Sequence, residues 1–304
     1  MSERARPSTA TPQSPSKGDQ PIRGLKPESL DEPLLRVRDL SVKLPTGPRQ
    51  TVHAVRSVNL DVGRGERVGI VGESGSGKSV TVRAISGLLP ESRRVEVNGS
   101  IRMEGEELVG AGKNTWQDVR LKRVGMIFQD PMSFLNPTMK VGAQIRESLD
   151  QGRSSEKSTS ATIKYMEMAG LAEPQKLMEE FPFQLSGGMR QRVLIAIALA
   201  KCPDIIVADE PTTALDATIQ RRVLRSLDDS VSRLGTSLLL ITHDLAVVAG
   251  ICDRVYVMFR GEIVESGTTE QIFYDPQHAY TKDLLRSVKS FTDGSAELYV
   301  SKYS

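Results

Sequence analysis

The sequence predicts an α/β fold in which a mostly parallel β-sheet is covered on both faces by helices. Four compact apolar runs indicate buried strands, at residues 68–71, 124–128, 205–208 and 238–241. Stretches with helical periodicity separate these runs, and that alternation is typical of a parallel sheet. At 304 residues, of which 38% are hydrophobic, the chain is long enough to bury such a core.

An antiparallel β subdomain is expected on the N-terminal side of this sheet. Apolar and polar residues alternate over 34–42 and again over 58–62, as in half-buried antiparallel strands. Residues 255–264, near the other end, predict a hairpin that turns at Arg260 and Gly261.

A separate helical subdomain is expected between the second and third buried strands. Residues from about 132 to 200 form a long polar and helical stretch, in which segments 161–169 and 189–200 show helical periodicity. Residues 1–33, in contrast, are rich in Pro, Ser and Thr and contain few large apolar side chains. We therefore predict that residues 1–33 form a disordered tail. A transit peptide is the alternative, and the five acidic residues of this segment disfavour it.

Composition excludes several classes of protein. The 40 basic and 38 acidic residues give a net charge of +2, which does not favour a nucleic-acid partner. Cys202 and Cys252 are too few for a disulfide framework or a four-cysteine zinc site, which favours a reducing cytoplasm. The apolar runs are shorter than the roughly 20 residues of a membrane-spanning helix, so membrane attachment is expected through a partner.

A phosphate-binding loop is predicted at residues 72–79, which read GESGSGKS. The loop follows the strand at 68–71 and precedes a helical pattern at 80–88, which is the context that the G-x-x-x-x-G-K-S motif requires. Its glycines allow backbone N–H groups to converge on one anion at the positive end of a helix. Lys78 adds a charge for the terminal phosphates of ATP, and Ser79 offers a hydroxyl to Mg²⁺.

A pair of carboxylates, Asp209 and Glu210, follows the buried strand at 205–208. Asp209 is placed to orient the water shell of Mg²⁺, and Glu210 to polarise the water that attacks the terminal phosphate. A solvated acidic turn before Pro211 is the alternative, which the phosphate loop in the same chain disfavours.

Residues 185–192, LSGGMRQR, resemble the signature of the ABC transporter ATPases. Gln129, the DEP run at 209–211, Asp216 and His243 extend the resemblance over residues 34 to about 268. It implies a RecA-like P-loop ATPase core, with an antiparallel β subdomain and a helical signature subdomain. It also implies that two ATPase domains pack head to tail, so that each phosphate loop faces the signature of the other domain.

The resemblance assigns roles to individual residues. The residues that bind ATP would be Gly72, Ser74, Gly75, Ser76, Gly77, Lys78, Ser79 and Val80, with Ser186, Gly187 and Gly188 acting across the interface and Asp216 coupling the two sites. Mg²⁺ would be held by Ser79, Gln129 and Asp209. Catalysis would fall to Glu210 as base, His243 as the holder of the attacking water and Gln129 as the sensor of the membrane partner.

Two further segments resemble the peptide and nickel importer branch of the family. They are QDPMSFLNP at residues 129–137 and DPQHAYT at residues 275–281, where Ala279 replaces a usual proline. Residues 269–304 would then form the C-terminal extension of that branch. Packing or capping is the less favoured alternative for His278 and Tyr280. No cysteine follows Cys252, so an iron–sulfur site is not expected, and peptides, nickel and metallophores all stay open as solutes.

The adenine side of the predicted ATP site is less well defined than its phosphate side. Residues 51–54 contain no aromatic side chain that could stack on a base, and only His53 offers a weak substitute. ATP rather than GTP is expected from the resemblance.

The resemblance implies partners: two transmembrane permease subunits, a second ATPase subunit (a paralogue or the same chain) and, indirectly, an extracytoplasmic solute-binding protein. The expected location is peripheral, on the cytoplasmic side of the cell membrane. Residues 131–140 would receive a permease helix, with Phe134 and Leu135 as apolar anchors, although Phe134 could instead belong to the core.

Two other functions fit the sequence less well than transport. A soluble ABC ATPase in nucleic-acid or ribosome maintenance would need coiled coils, zinc modules or two ATPase domains, and the sequence has neither heptads, nor a cysteine cluster, nor a second phosphate loop. A binding-only regulator is disfavoured because Glu210 and His243 are both present.

Overall fold

The computed structural model describes residues 32–47, 49–149, 155–213 and 215–289, so the predicted N-terminal tail lies almost wholly outside the described residues. The strands are β1 Leu35–Pro45, β2 Thr51–Val62, β3 Arg67–Val71, β4 Glu96–Met103, β5 Glu106–Glu107, β6 Val124–Ile127, β7 Ile205–Asp209, β8 Ser237–Ile241, β9 Arg254–Phe259 and β10 Glu262–Thr268. The helices are α1 Lys78–Ile85, α2 Lys113–Lys122, α3 Val141–Glu147, α4 Ser155–Met168, α5 Pro174–Leu177, α6 Gly187–Ala200, α7 Ala217–Leu234, α8 Leu245–Ile251, α9 Thr269–Tyr274 and α10 Ala279–Lys289.

A six-stranded sheet with the order β10-β9-β3-β8-β7-β6 forms the centre of the fold. Its neighbouring strands are parallel, except for the antiparallel pair β9 and β10 at one edge. This sheet confirms the predicted α/β class. The predicted hairpin is also confirmed, and Arg260 and Gly261 at its turn both have positive φ, 48° and 90°.

A second, antiparallel sheet has the order β2-β1-β4-β5. The sequence predicted β1 and parts of β2, whose buried residues alternate with partly buried or exposed ones. It did not predict β4, because only Ile101 and Met103 of that strand are buried and its remaining residues, apart from the partly buried Val97, are polar or lack a side chain.

Buried strands of the central sheet separate two hydrophobic cores. Along β7, Ile205 and Val207 pack with the antiparallel sheet and α1, whereas Ile206 and Ala208 pack with the helices on the opposite face. This two-residue alternation between faces places side chains of one apolar run in both cores. It explains why the central strands have continuous rather than alternating hydrophobicity.

Residues 131–140 are mostly exposed, with Leu135 as the buried exception. Phe134 is 51% exposed and its ring is stacked on that of Phe128, with centroids 3.7 Å apart. Leu135, by contrast, is 3% exposed and packs in the core that contains Val141 and Ile145, so the prediction that Leu135 is a surface anchor is wrong.

Within the described ranges, no helix combines the length and the apolar character that crossing a membrane requires.

Candidate functional site

A cleft of about 660 Å³ lies where the phosphate loop meets β2, the β9–β10 turn and the ends of β6 and β7. The residues that line it are Val52, His53, Ala54, Arg56, Ser74, Gly75, Gly77, Lys78, Ser79, Val80, Gln129, Glu210, Arg260 and Gly261. The structure therefore brings together most of the phosphate-loop residues with Gln129 and Glu210, which come from distant parts of the sequence.

Glycines give the phosphate loop its conformation. Gly77 caps α1 with a φ of 106°, and a Cβ atom there would stand 2.5 Å from the carbonyl oxygen of Ala54. At Gly72 the φ is 152°, and a Cβ atom would stand 2.1 Å from the carbonyl oxygen of Met258. Side chains at these two positions would thus collide with backbone, and their absence lets the loop close tightly before the helix.

The β9–β10 turn holds the same loop from the other side. The Gly261 N–H donates to the Ser76 carbonyl at 2.8 Å, and the Arg56 N–H donates to the Gly261 carbonyl at 2.7 Å. The hairpin thereby ties the phosphate loop to β2 of the antiparallel sheet.

Lys78 is buried at the base of the cleft, with 4% of its surface exposed. Its ammonium nitrogen donates to the carbonyl oxygens of Gly72 at 2.7 Å and of Glu73 at 2.8 Å. Burial lowers the pKa of Lys78, and the nearby carboxylates of Glu210 and Asp209 oppose that shift. A point charge is thus kept next to the backbone that would surround phosphate groups.

Asp209 ends β7 beside the first turn of α1. The Ser79 hydroxyl donates to Asp209 Oδ1 at 2.9 Å. Burial raises the pKa of Asp209, while the hydrogen bond from Ser79 lowers it. A hydroxyl and a carboxylate together offer the hard oxygen ligands that suit Mg²⁺.

Glu210 follows Asp209 with a φ of 47°, a left-handed conformation that is uncommon outside glycine. Its Oε1 lies 3.3 Å from His243 Nδ1, and its Oε2 accepts a hydrogen bond from the Thr213 hydroxyl at 2.8 Å. His243 comes from the end of β8, the strand next to β7. Two neighbouring strand ends therefore orient one carboxylate at the edge of the cleft.

The signature residues lie elsewhere on the surface. Ser186 caps α6, and its hydroxyl accepts from the Met189 N–H at 3.4 Å. Ser186 and Gly187 are exposed, and none of Ser186, Gly187, Gly188 or Asp216 is among the described residues that line the cleft. A Cβ atom at Gly188 would come within 2.3 Å of Ile219, so the signature packs against the start of α7, the helix that Asp216 caps.

The residues of the cleft fit ATP and Mg²⁺. The glycine loop at the start of α1 provides convergent N–H groups, and Ser79 and Asp209 provide oxygen ligands. In the part of the chain that the structure describes, no cluster of three or more His, Cys, Asp or Glu could hold a metal alone. Mg²⁺ usually takes few protein ligands and completes its shell with phosphates and water.

The part of the cleft lined by β2 and the β9–β10 turn has a composition that the sequence did not reveal. Arg56 and Arg260 line it together with Val52, His53 and Ala54, and none of the lining side chains in the described residues is an aromatic ring other than the imidazole. The Arg260 guanidinium lies 5.0 Å from the centroid of the Phe259 ring. The predicted hairpin turn at residue 260 was the one signal in the sequence that could have drawn attention to Arg260.

Comparison with known proteins defines the class. Residues 55–213, a little over half of the chain, match the family model described as ABC transporter. The chain therefore belongs to the ABC transporter family, as an ATPase whose hydrolysis of ATP is coupled to transport.

The relatives narrow the class to one branch. The chain is 48% identical over 266 residues to the oligopeptide transport ATP-binding protein OppD of Bacillus subtilis (strain 168), covering 87% of this chain and 74% of that protein. It is 43% identical to the dipeptide transport ATP-binding protein DppD of Lactococcus lactis subsp. cremoris (strain MG1363), covering 89% of this chain and 78% of that one. The resemblance to the peptide importer branch is thus confirmed.

A solved structure shares the fold. It is the dimeric structure of the ATP-binding cassette MJ0796 in a post-hydrolysis state with ADP and Pi. That cassette superposes with a TM-score of 0.69 at 28% identity, covering 77% of this chain and 98% of its own.

Proposed function

We propose that this chain hydrolyses ATP to power the import of peptides by an ABC transporter. The relatives named above support peptides, and nickel or metallophore complexes are the second class of solute to test. The solute itself is expected to contact the permeases and an extracytoplasmic binding protein rather than the ATPase. The nucleic-acid alternative finds no support, because these relatives are transport proteins.

The observation that carries the proposal is the arrangement of Glu210 beside Lys78 and Ser79 in one cleft. Lys78 would neutralise charge on the terminal phosphates, while Ser79, Asp209 and Gln129 would hold Mg²⁺. When bound with ATP, Mg²⁺ would supply positive charge that offsets the negative charge of the phosphates. Glu210 would orient the attacking water and accept its proton, and His243 would hold both that water and the Glu210 carboxylate in place.

A second ATPase domain would complete the site. The exposed N-terminus of α6, with Ser186 and Gly187, points to a phosphate-binding helix end that does not line its own cleft. Two domains packed head to tail would bring this helix end to the partner's phosphate loop, with Asp216 between the two sites. The partner would be a paralogue or another copy of this chain.

The assembly would be peripheral, bound to two permeases on the cytoplasmic face of the cell membrane. The stacked rings of Phe128 and Phe134, together with exposed Met132, form an apolar surface next to Gln129. We define this as the Phe134 surface and propose that a permease helix docks there. Such a contact would link movement of the permease to a residue that also lines the cleft.

The test of the proposed chemistry is the substitution Glu210→Gln. The variant should bind MgATP with wild-type affinity but hydrolyse it at least about 100-fold more slowly, because the amide cannot accept the proton. Exposed Glu270 of α9 provides the matched control, and Glu270→Gln should leave turnover unchanged. Wild-type turnover in the Glu210 variant would remove Glu210 from the role of base.

The solute is tested by uptake. Cells that depend on this transporter should lose uptake of labelled peptide when Glu210→Gln replaces the wild type, while uptake of labelled nickel should not change. Loss of nickel uptake alone would assign the chain to metal import instead.

A further inference from the structure

Tyr280, in α10, reaches the phosphate loop from the C-terminal part of the chain. Its hydroxyl oxygen accepts a hydrogen bond from the backbone N–H of Glu73 at 3.0 Å. Residue 280 lies well outside residues 55–213, the range that matches the family model.

The position of the Tyr280 ring is fixed by Phe259. The two ring centroids are 4.2 Å apart with an interplanar angle of 31°. Phe259 ends β9 directly before the turn whose Gly261 binds Ser76. The phosphate loop is thus held at two points, at residue 73 by Tyr280 and at residue 76 by the hairpin.

The start of α10 is fixed in turn by β10. The Glu265 carboxylate accepts the N–H groups of Gln277 at 2.6 Å and of His278 at 3.1 Å, and His278 Nδ1 accepts from the Tyr280 N–H at 3.2 Å. His278 therefore serves as a capping group. Tyr280 differs from it, because its hydroxyl is hydrogen-bonded to the backbone of the phosphate loop.

The peptide group that Tyr280 binds also holds Lys78. The Glu73 N–H and the Gly72 carbonyl belong to one planar peptide unit. Its N–H donates to Tyr280, and its carbonyl accepts from the Lys78 ammonium at 2.7 Å. Any rotation of this peptide unit would move the Gly72 carbonyl away from Lys78. The Lys78 ammonium would then lose a hydrogen-bond partner, and its position would change. Hydrogen bonds at both ends of one peptide also polarise and strengthen each other.

We propose that Tyr280 is a positioning residue for ATP binding, which fixes the Gly72–Glu73 peptide and through it the Lys78 ammonium. The C-terminal segment would then be part of the nucleotide site rather than an appendage to it. This proposal rests on the ATP site proposed above.

The substitution Tyr280→Phe tests the proposal, because it removes the hydroxyl and keeps the ring on Phe259. The variant should bind MgATP about 3- to 10-fold more weakly, the range expected for loss of one hydrogen bond. Its thermal unfolding midpoint should stay within about 2 °C of the wild type, since the packing of the ring is kept. Tyr274→Phe is the matched control, because the Tyr274 ring in α9 is 69% exposed, and it should bind MgATP as the wild type does.

Amide hydrogen exchange of the full chain measures the hydrogen bond between Glu73 and Tyr280 in the absence of nucleotide. The Glu73 amide should exchange faster in Tyr280→Phe than in the wild type, while the Gly261 amide should not change. Wild-type affinity for MgATP in Tyr280→Phe, or an unchanged Glu73 amide, would overturn the proposal. A wild-type chain that bound no MgATP would contradict the proposed function instead, and the exchange measurement would still test the role of Tyr280.

Discussion

Burial of the Lys78 ammonium has a cost that the phosphate loop offsets. Desolvation disfavours the charged form and lowers its pKa, but the carbonyls of Gly72 and Glu73 and the carboxylates of Asp209 and Glu210 stabilise that form. Two loop carbonyls and two nearby carboxylates therefore surround the single ammonium group of Lys78. A phosphate group brought to this position meets a charge that is already desolvated and oriented, so its binding needs little rearrangement.

Replacing Lys78 by Ala should weaken MgATP binding at least about 10-fold, because a charge-assisted hydrogen bond is worth about 1.5–3 kcal/mol. Equilibrium binding of MgATP to the full chain measures the loss. Lys201 is the matched control, since burial also lowers the pKa of Lys201 and its ammonium donates to the Arg120 carbonyl at 3.3 Å, outside the cleft. Lys201→Ala should retain affinity for MgATP. Retained affinity in Lys78→Ala would contradict the phosphate-loop interpretation.

Sequence predicted the residues of the cleft better than their contacts. The phosphate loop and Glu210 could be found because each follows a continuous apolar run. The contact of Tyr280 with Glu73 could not, because it joins residues 207 positions apart through the packing of α10 on β9. Leu135 was misassigned because two adjacent apolar residues do not reveal which of them faces the core.

Among the elements, the short edge strand β5 of the antiparallel sheet is held by a single carboxylate, that of Glu107. Glu107 Oε1 accepts the N–H groups of Ile101 at 3.0 Å, Leu108 at 3.1 Å and Val109 at 3.0 Å, and Oε2 accepts from the Ser100 hydroxyl. Burial alone would raise the pKa of Glu107, but these hydrogen bonds outweigh it and lower the pKa from 4.5 to about 2. The carboxylate thus ties the short β5 to β4 in place of a longer strand ladder.

Glu107→Gln should lower the free energy of unfolding by about 1 kcal/mol at pH 7, a modest value because solvent screens this exposed group. Since the folded-state pKa lies below the unfolded one, the stabilisation is complete above pH 4.5 and is lost as pH falls towards 2. Denaturant unfolding at several pH values from 7 to 3 should therefore show a shrinking difference from the wild type. A difference that did not change with pH would show that ionisation of Glu107 is not involved.

Exposed Glu96 in β4 is the control for this series. It pairs with Lys43 at 2.9 Å, and both side chains are largely exposed. Glu96→Gln should have little effect on stability at any of these pH values, because exposed ion pairs contribute little.

For the whole molecule, two exposed surfaces are the ones that we propose for partners. The end of α6 at Ser186 and Gly187 lies outside the cleft, and the Phe134 surface lies beside Gln129. We proposed the first surface for a second ATPase domain and the second for a permease. Both proposals start from the resemblance of the sequence to the family. The sequence could not predict that the Phe134 ring would be supported by Phe128, which required the fold.

Phe134→Asp should reduce transport at least about 10-fold, because a carboxylate at an apolar docking surface would be desolvated without a partner. Folding should be retained, since Phe134 is 51% exposed, and so should MgATP binding by the isolated chain. Leu121→Asp is the matched control, because Leu121 is 55% exposed on α2, away from this surface, and it should transport normally. Solute uptake and the thermal unfolding midpoint, measured on both variants, separate docking from stability. Normal uptake in Phe134→Asp would contradict the placement of the permease at this surface.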